Sequence, residues 1–230
     1  EILAMASNPT YDPNDFGKYP PLSWRNKAIS DAYELGSVMK PFIIAAAITE
    51  NVVTSDTLID CERGAARIIP GRILRDAHPY GTLSVYDVIV KSSNIGTAKI
   101  AMMMGAEKVH SYLEKLGFDK KSGIELPGET SGRLKPLSKW SNFTLTSVPM
   151  GHEICVTPIN MACAYLVLAN DGIYLPPTII DTIIDKDGTI FKRYLPSQLK
   201  RIYPQNVAKT MQDMLRSVVE RGTAKKANVS

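Results

Sequence analysis

An apolar run that is almost unbroken covers residues 37–50, a length typical of a helix. In "SVMKPFIIAAAITE" the apolar side chains fall on every face of a helix, whereas a surface helix would show one apolar stripe. This pattern predicts a helix buried at the centre of the fold.

Five more helices are predicted downstream by hydrophobic periodicity. The stretch "TLSVYDVIVKSSNIGTAKIAMMMG" predicts two helices joined at Ser92-Ser93-Asn94, with Thr82 and Ser84 as candidate caps. "EKVHSYLEKLGF" and "PQNVAKTMQDMLRSVVERG" have one apolar face each, so both are expected on the surface. "TPINMACAYLVLANDG" predicts a second buried helix, with Pro158 in its first turn.

Strand signals are short and few. "EILAMAS" is a strand candidate, and residues 54–81, rich in Gly, Pro and Arg, predict short strands and loops. "TIIDTIIDKDGTIFKRYL" predicts a hairpin that turns at residues 185–188. The inventory indicates an α+β domain that is rich in helices and has an incomplete antiparallel sheet.

Composition excludes several kinds of site. Lys and Arg are scattered, net charge is +4 and aromatics make up 7% of the chain, so no nucleic-acid partner is expected. Three cysteines and three isolated histidines carry no metal-ligand spacing, which predicts no metal. Cys155 and Cys163 are expected as buried thiols, and the run of Met102, Met103 and Met104 as core filler.

No window of the sequence approaches the roughly 20 apolar residues of a membrane span, and no signal peptide is evident. The chain begins at Glu1, in the middle of a strand-like run. We therefore expect it to be a piece of a longer protein, whose targeting signals would lie elsewhere.

Two S-x-x-K spacings occur, Ser37 with Lys40 and Ser197 with Lys200, and chance alone would supply about one. Ser197 stands in a charged stretch with no buried helix behind it. Ser37 stands at the start of the buried helix, where it shares a face with Lys40 one turn later. A lysine in such apolar surroundings loses basicity through desolvation and could accept the serine proton. The alternative is a capping serine beside a lysine that reaches solvent.

The second candidate element is "KSSN" at the junction of two predicted helices. It places two hydroxyls and a carboxamide at a tight turn, which is also typical of a simple capping turn. In the functional interpretation Ser92 relays a proton to or from Lys40, and Asn94, with Ser93 beside it, binds the substrate.

Together the two elements match the S-x-x-K and Ser-x-Asn motifs of penicillin-binding proteins and serine β-lactamases. The sequence resembles the transpeptidase domain of class B penicillin-binding proteins. The likeness extends over nearly the whole chain, through "EILAMASNPTYDPN", "RNKAISDAYELGSVMKPF", "LPGETSG" and "LTSVPMGHEICVTPINMACAYLVLANDGIYLPP". The resemblance implies the penicillin-binding/serine β-lactamase-like transpeptidase fold over residues 1–230.

The same resemblance implies the chemistry. Ser37 would be the acylated nucleophile, Lys40 its general base and Ser92 the proton relay, with Asn94 and Ser93 at the substrate. The substrate would be the D-Ala-D-Ala end of a peptidoglycan stem peptide, with β-lactam antibiotics as inhibitors and no cofactor. Expected partners are the cell-wall synthesis machinery of division or elongation, at the periplasmic or outer face of a bacterial inner membrane.

The family's third motif, K-T-G, is not found where the resemblance requires it. "KDGT" at residues 186–189 precedes the last predicted helix, and its position predicts a hairpin turn instead. The domain is therefore expected to be incomplete at both ends. Because the missing strand would supply one oxyanion-hole N–H, we expect these 230 residues alone to acylate slowly.

Four other functions share parts of this pattern. A serine β-lactamase or β-lactam sensor would use the same scaffold, although Asn94 argues against the sensor class. A D,D-carboxypeptidase also keeps Ser-x-Asn, without the "GETSG" and "GHEICVTP" blocks. A catalytically inactive scaffold domain is permitted by the missing motif, but the intact Ser37, Lys40, Ser92 and Asn94 argue against it.

Overall fold

The computed structural model describes residues 2–193 and 199–228. Its α-helices are α1 (Lys27–Ser30), α2 (Lys40–Thr49), α3 (Val85–Val90), α4 (Asn94–Met104), α5 (Ala106–Lys115), α6 (Asn142–Ser147), α7 (Pro158–Ala169) and α8 (Gln205–Glu220). Short 3₁₀ turns lie between them, and the one that matters for the site is Gly36–Met39, directly before α2.

The strands are short and form five small antiparallel groups within the described residues. They are β1 (Tyr33–Glu34), β2 (Leu58–Asp60), β3 (Ala65–Ile69), β4 (Arg72–Arg75), β5 (Thr82–Ser84), β6 (Arg133–Leu134), β7 (Ile154–Val156), β8 (Ile173–Tyr174), β9 (Thr182–Ile184), β10 (Ile190–Arg193) and β11 (Lys200–Arg201). The three-stranded group has the order β1-β7-β6, while β2-β5, β3-β4, β9-β10 and β8-β11 are pairs. The predicted helix-rich fold with small antiparallel sheets is confirmed.

Helix α2 is the centre of the core, as its sequence predicts. Its residues from Lys40 to Ala47 are all buried, and α3, α4, α5 and α8 pack around it. The Phe42 ring makes edge-to-face contacts with the rings of Phe118 and Tyr165, with centroids 5.7 and 5.0 Å apart. The fully buried Tyr203 donates its hydroxyl to the Phe42 carbonyl at 3.1 Å, which ties α2 to the segment before α8.

The helix pair around Ser92-Ser93-Asn94 is confirmed as α3 and α4. Of the two candidate caps, Ser84 is the N-cap of α3 and accepts the Asp87 N–H at 3.1 Å. Thr82 instead lies in β5, where it pairs with Asp60. The two amphipathic helices are also confirmed, as α5 and α8, and the helix that begins at Pro158 forms as α7. Its predicted burial is wrong on one face, where Leu166 is 51% exposed.

Three local predictions are corrected. Residues 2–7 form no strand with the described part of the chain, because no described strand lies beside them to supply ladder hydrogen bonds. Met104 is buried, but Met102 and Met103 are 38% and 54% exposed, since α4 turns those two positions away from the core. Cys163 is buried as expected, whereas Cys155 is only half-buried beside Arg133.

The "KDGT" stretch is confirmed as a hairpin turn. Gly188 donates its N–H to the Asp185 carbonyl at 3.1 Å, and the Asp185 side chain accepts the N–H groups of Asp187 and Thr189. The flanking strands are β9 and β10. The second S-x-x-K pair is not described as a pair, since Ser197 lies outside the described residues.

The position of α2 predicts a large difference between core and surface truncations of the same side chain. Ile44→Ala, at a site with 0% exposure, should lower the free energy of unfolding by about 2–5 kcal/mol. The control Ile184→Ala, on the exposed hairpin, should change it by less than about 0.5 kcal/mol. Chemical denaturation of the intact protein measures both, and equal losses would contradict the central position of α2.

Candidate active site

Ser37 lies on a short 3₁₀ turn between β1 and α2. The Ser37 side chain is exposed, and its carbonyl accepts the Lys40 N–H in the 3₁₀ turn. Pro41 follows, and because it has no N–H it leaves the Ser37 carbonyl free for this tighter bond. The hydroxyl therefore stands in solvent at the N-terminal end of α2, where the helix dipole favours a developing negative charge.

Lys40 is buried directly behind this turn, with 2% of its surface exposed. Its amine donates to the Ser92 carbonyl at 2.6 Å and to the Ser92 hydroxyl at 2.9 Å. Burial lowers the pKa of the Lys40 amine from its ordinary 10.5 to about 8, and the negative charge of Asp76 opposes that change. A neutral amine, able to take a proton, is therefore accessible near neutral pH.

Ser92 stands at the turn between α3 and α4 with a left-handed backbone, φ +57°. This conformation costs a non-glycine residue about 1–3 kcal/mol and is found most often where function constrains the chain. The Ser92 N–H donates to the Ile89 carbonyl at 3.0 Å, and the Ser93 N–H donates to the Val88 carbonyl at 2.9 Å. These bonds hold the turn so that both the Ser92 carbonyl and its hydroxyl face Lys40.

The other two predicted residues of this turn have different surroundings. Asn94 is half-buried, and its side-chain amide donates to the Arg75 carbonyl at 2.8 Å, at the end of β4. Ser93 is completely buried; its hydroxyl donates to Asp76 at 2.6 Å and accepts the Gly96 N–H at 2.9 Å as the N-cap of α4. The predicted contact of Ser93 with substrate does not fit this geometry, which gives Ser93 a structural part instead.

Gly151 holds the segment before Ser37 in place, and no pattern in the sequence indicates this. Its carbonyl accepts the N–H groups of Leu35 and Gly36 at 3.0 and 3.3 Å, directly before Ser37. Gly151 has φ +79°, and a Cβ there would overlap the backbone of Gly36. Only glycine allows the two chain segments to approach this closely, so Gly151 fixes the position of the segment that carries Ser37.

Two polar residues, Glu34 on β1 and His152 in the segment before β7, lie next to the contact between Gly36 and Gly151. The Glu34 carboxylate accepts the Glu153 N–H at 2.9 Å and lies 3.1 Å from Nδ1 of His152. The Glu153 N–H is the main cause that lowers the pKa of Glu34, and His152 adds to it. The surface beside Ser37 therefore carries an anion close to a histidine, a pair that the isolated positions in sequence did not indicate.

Among residues 2–193 and 199–228, no three His, Cys, Asp or Glu side chains are grouped in a way that could hold a metal ion. In the same part of the chain, no helix is long and apolar enough to cross a bilayer.

A family model described as the penicillin-binding protein transpeptidase domain matches residues 1–230. The chain belongs to this family. Penicillin-binding protein PbpB of Mycolicibacterium smegmatis is 35% identical over 96% of this chain and 34% of its own length. Peptidoglycan D,D-transpeptidase FtsI of Escherichia coli is 30% identical over 95% of this chain and 35% of its own length. The chain thus spans about one third of the length of these relatives.

The transpeptidase-domain fold is confirmed by solved structures. The crystal structure of penicillin-binding protein 3 from Mycobacterium tuberculosis, complexed with ampicillin, matches with a TM-score of 0.89 and 31% identity. The match covers 96% of this chain and 50% of the other. The predicted family and fold class are therefore both confirmed, while the roles of the individual site residues stay predictions.

The Gly36 contact makes a prediction about stability. Gly151→Ala should lower the free energy of unfolding more than Gly128→Ala does, by about 1–3 kcal/mol. The two glycines share a left-handed φ, +79° and +82°, but a Cβ at Gly128 meets nothing within 4 Å. The control thus isolates the clash from the conformational strain. Equal unfolding free energies for the two variants would show that the contact between Gly36 and Gly151 does not constrain the nucleophile segment.

Proposed function

We propose that this chain carries the acylation machinery of a peptidoglycan D,D-transpeptidase. The observation that carries the proposal is the buried Lys40 amine, bonded to Ser92 and one helical turn from the exposed Ser37. A relative named as a peptidoglycan D,D-transpeptidase and a structural neighbour complexed with ampicillin support the assignment.

In the proposed reaction, the Ser37 hydroxyl attacks the carbonyl of the penultimate D-Ala of a stem peptide. Neutral Lys40 takes the hydroxyl proton and passes it to the Ser92 oxygen, while the Ser92 hydroxyl proton moves to the nitrogen of the terminal D-Ala, so that Lys40 is neutral again. The peptide bond then breaks, D-Ala leaves, and an ester to Ser37 remains. The amine of a neighbouring stem peptide attacks this ester, forms the crosslink and returns the proton through Lys40 to Ser37.

The remaining residues of the turn have separate parts in this proposal. Asn94 presents its carboxamide at the edge of the turn, where it binds the peptide backbone of the substrate. Ser93 is left out of the substrate-contacting set because its hydroxyl is buried and bonded to Asp76. The reaction draws its acid, base and nucleophile from side chains, so the proposal needs no cofactor.

The same proposal implies that β-lactams acylate Ser37 as mimics of the donor peptide. It also implies a periplasmic or outer-face location at a bacterial inner membrane, together with the division or elongation machinery of cell-wall synthesis. The expectation that the domain continues past both ends of this chain stays a prediction.

The assignment of the nucleophile predicts a single acylated serine. Intact-mass measurement after exposure of the intact protein to a penicillin should show one adduct, which Ser37→Ala abolishes. Ser197→Ala is the matched control, since it removes the serine of the other S-x-x-K spacing and should keep the adduct.

An unchanged adduct in Ser37→Ala would remove Ser37 from the role of nucleophile. Rapid release of hydrolysed penicillin by the unaltered protein would favour a β-lactamase over a transpeptidase. Absence of any adduct in the unaltered protein would favour an inactive scaffold.

The role of Lys40 as general base predicts the pH dependence of acylation. Because the pKa of Lys40 is about 8, the amine is mostly protonated at pH 6 and mostly neutral at pH 9. The second-order rate constant for a slow β-lactam should therefore rise about tenfold per pH unit below the inflection and level off above it, near pH 8. Stopped-flow or quenched mass measurements follow this rate. A rate that is flat or falls between pH 6 and 9 would contradict the assignment of Lys40.

A further inference from the structure

Asp76, directly after β4, holds the start of α4 through both of its carboxylate oxygens. Oδ2 accepts the Ser93 hydroxyl at 2.6 Å, and Oδ1 accepts the N–H groups of Asn94 at 2.6 Å and Ile95 at 3.0 Å. Bonds to an ionised carboxylate are shorter and stronger than neutral ones, and the first turn of a helix favours an anion. Asp76 is thus bound to every residue of the turn that follows Ser92.

The neighbouring residue of the same segment strengthens this attachment. The Arg75 carbonyl accepts the side-chain amide of Asn94 at 2.8 Å. The end of the β3-β4 hairpin therefore holds residues 93–95 through side chain and backbone at once. Ser92, immediately before this clamped stretch, keeps its left-handed backbone and directs its carbonyl and hydroxyl at the Lys40 amine.

The charge of Asp76 also acts on the titratable groups around it. It opposes the lowering of the Lys40 pKa that burial causes. Asp76 also acts on Cys61 and Tyr80, whose pKa values burial raises and the Asp76 charge raises further. Both of these groups therefore stay neutral in the range where Lys40 titrates.

We propose that Asp76 is a positioning residue for the acylation step, which holds Ser92 against Lys40 through its bonds to Ser93, Asn94 and Ile95. This inference rests on the proposed function, because acylation is the step in which Lys40 and Ser92 move a proton. Asp76 touches neither substrate nor the reacting atoms; it acts through Ser92, Ser93 and Lys40.

The test compares the pH profile of acylation in the intact protein with those of matched variants. Asp76→Asn keeps the size of the side chain but removes the charge and one of the two acceptor oxygens, so that Ser93 and the N–H groups of Asn94 and Ile95 can no longer all be satisfied. Its plateau rate should fall about 10- to 100-fold, as expected when a catalytic group is misplaced. The inflection should also move to lower pH, since without the Asp76 charge the Lys40 pKa falls further.

Two further variants separate position from charge. Ser93→Ala removes one bond to Asp76 and keeps the charge, so its plateau should fall while its inflection stays near that of the unaltered protein. Asp60→Asn is the control, because Asp60 is an exposed carboxylate that accepts a local N–H, from Glu62 at 2.8 Å. Both its plateau and its inflection should be unchanged.

If the inflection of the pH profile of Asp76→Asn stays where it is in the unaltered protein, the inference is overturned. This holds whatever the plateau rate and melting temperature of that variant. If Asp76→Asn fails to fold, Asp76→Glu replaces it as the test, since it keeps the charge but displaces the carboxylate. A plateau rate of Asp76→Glu equal to that of the unaltered protein would overturn the inference. Absence of an adduct in the unaltered protein would overturn the proposed function and this inference together. If the unaltered protein is acylated and the Asp76 variants have the same pH profile as that protein, only this inference is overturned and the proposed function stands.

Discussion

The hydrogen bonds from the buried Lys40 amine to Ser92 are the interaction on which the site depends. The Lys40 amine is buried among apolar side chains and loses its hydration. The lowering of its pKa to about 8 means that the protein disfavours the charged form by about 3 kcal/mol relative to water. A protein keeps such a group only where its surroundings satisfy it. Here the carbonyl and hydroxyl of one residue do so, and that residue holds a left-handed backbone in order to reach the amine.

Two contacts bring the halves of the site together. Gly151 fixes the backbone before Ser37, because it is the residue whose lack of a side chain lets Gly36 approach. Asp76 and Arg75 fix the turn after Ser92. Asp76 accepts the backbone N–H of Asn94 at the start of α4, and the Arg75 carbonyl accepts the Asn94 side-chain amide. Both anchors belong to short loops and strands rather than to the core helices. The buried helices thus supply a rigid frame for Lys40, and the small hairpins and turns set the geometry around it.

The sequence predicts those features that local pattern determines. The apolar residues on every face of α2 predict that this helix is buried. The spacing of Ser37 and Lys40 predicts that both lie on one face, and "KSSN" predicts a turn between two helices. Features that depend on distant chain segments were not predictable in this way. Ser93 was expected at the substrate because a surface turn hydroxyl and a capping hydroxyl look alike in sequence. Asp76 and Gly151 were missed because their partners lie far along the chain, and the strand expected at residues 2–7 lacks a described neighbour.

Titration of the Lys40 side chain by NMR, in protein labelled at lysine, tests directly whether this amine can act as a base. The Lys40 signal is assigned by its loss in Lys40→Met. We expect a pKa of about 8 for this amine, because burial lowers the pKa and the Asp76 charge offsets only part of that lowering. A pKa near the ordinary 10.5 would contradict it, since the amine would then be solvated and protonated, and unable to serve as the base for Ser37.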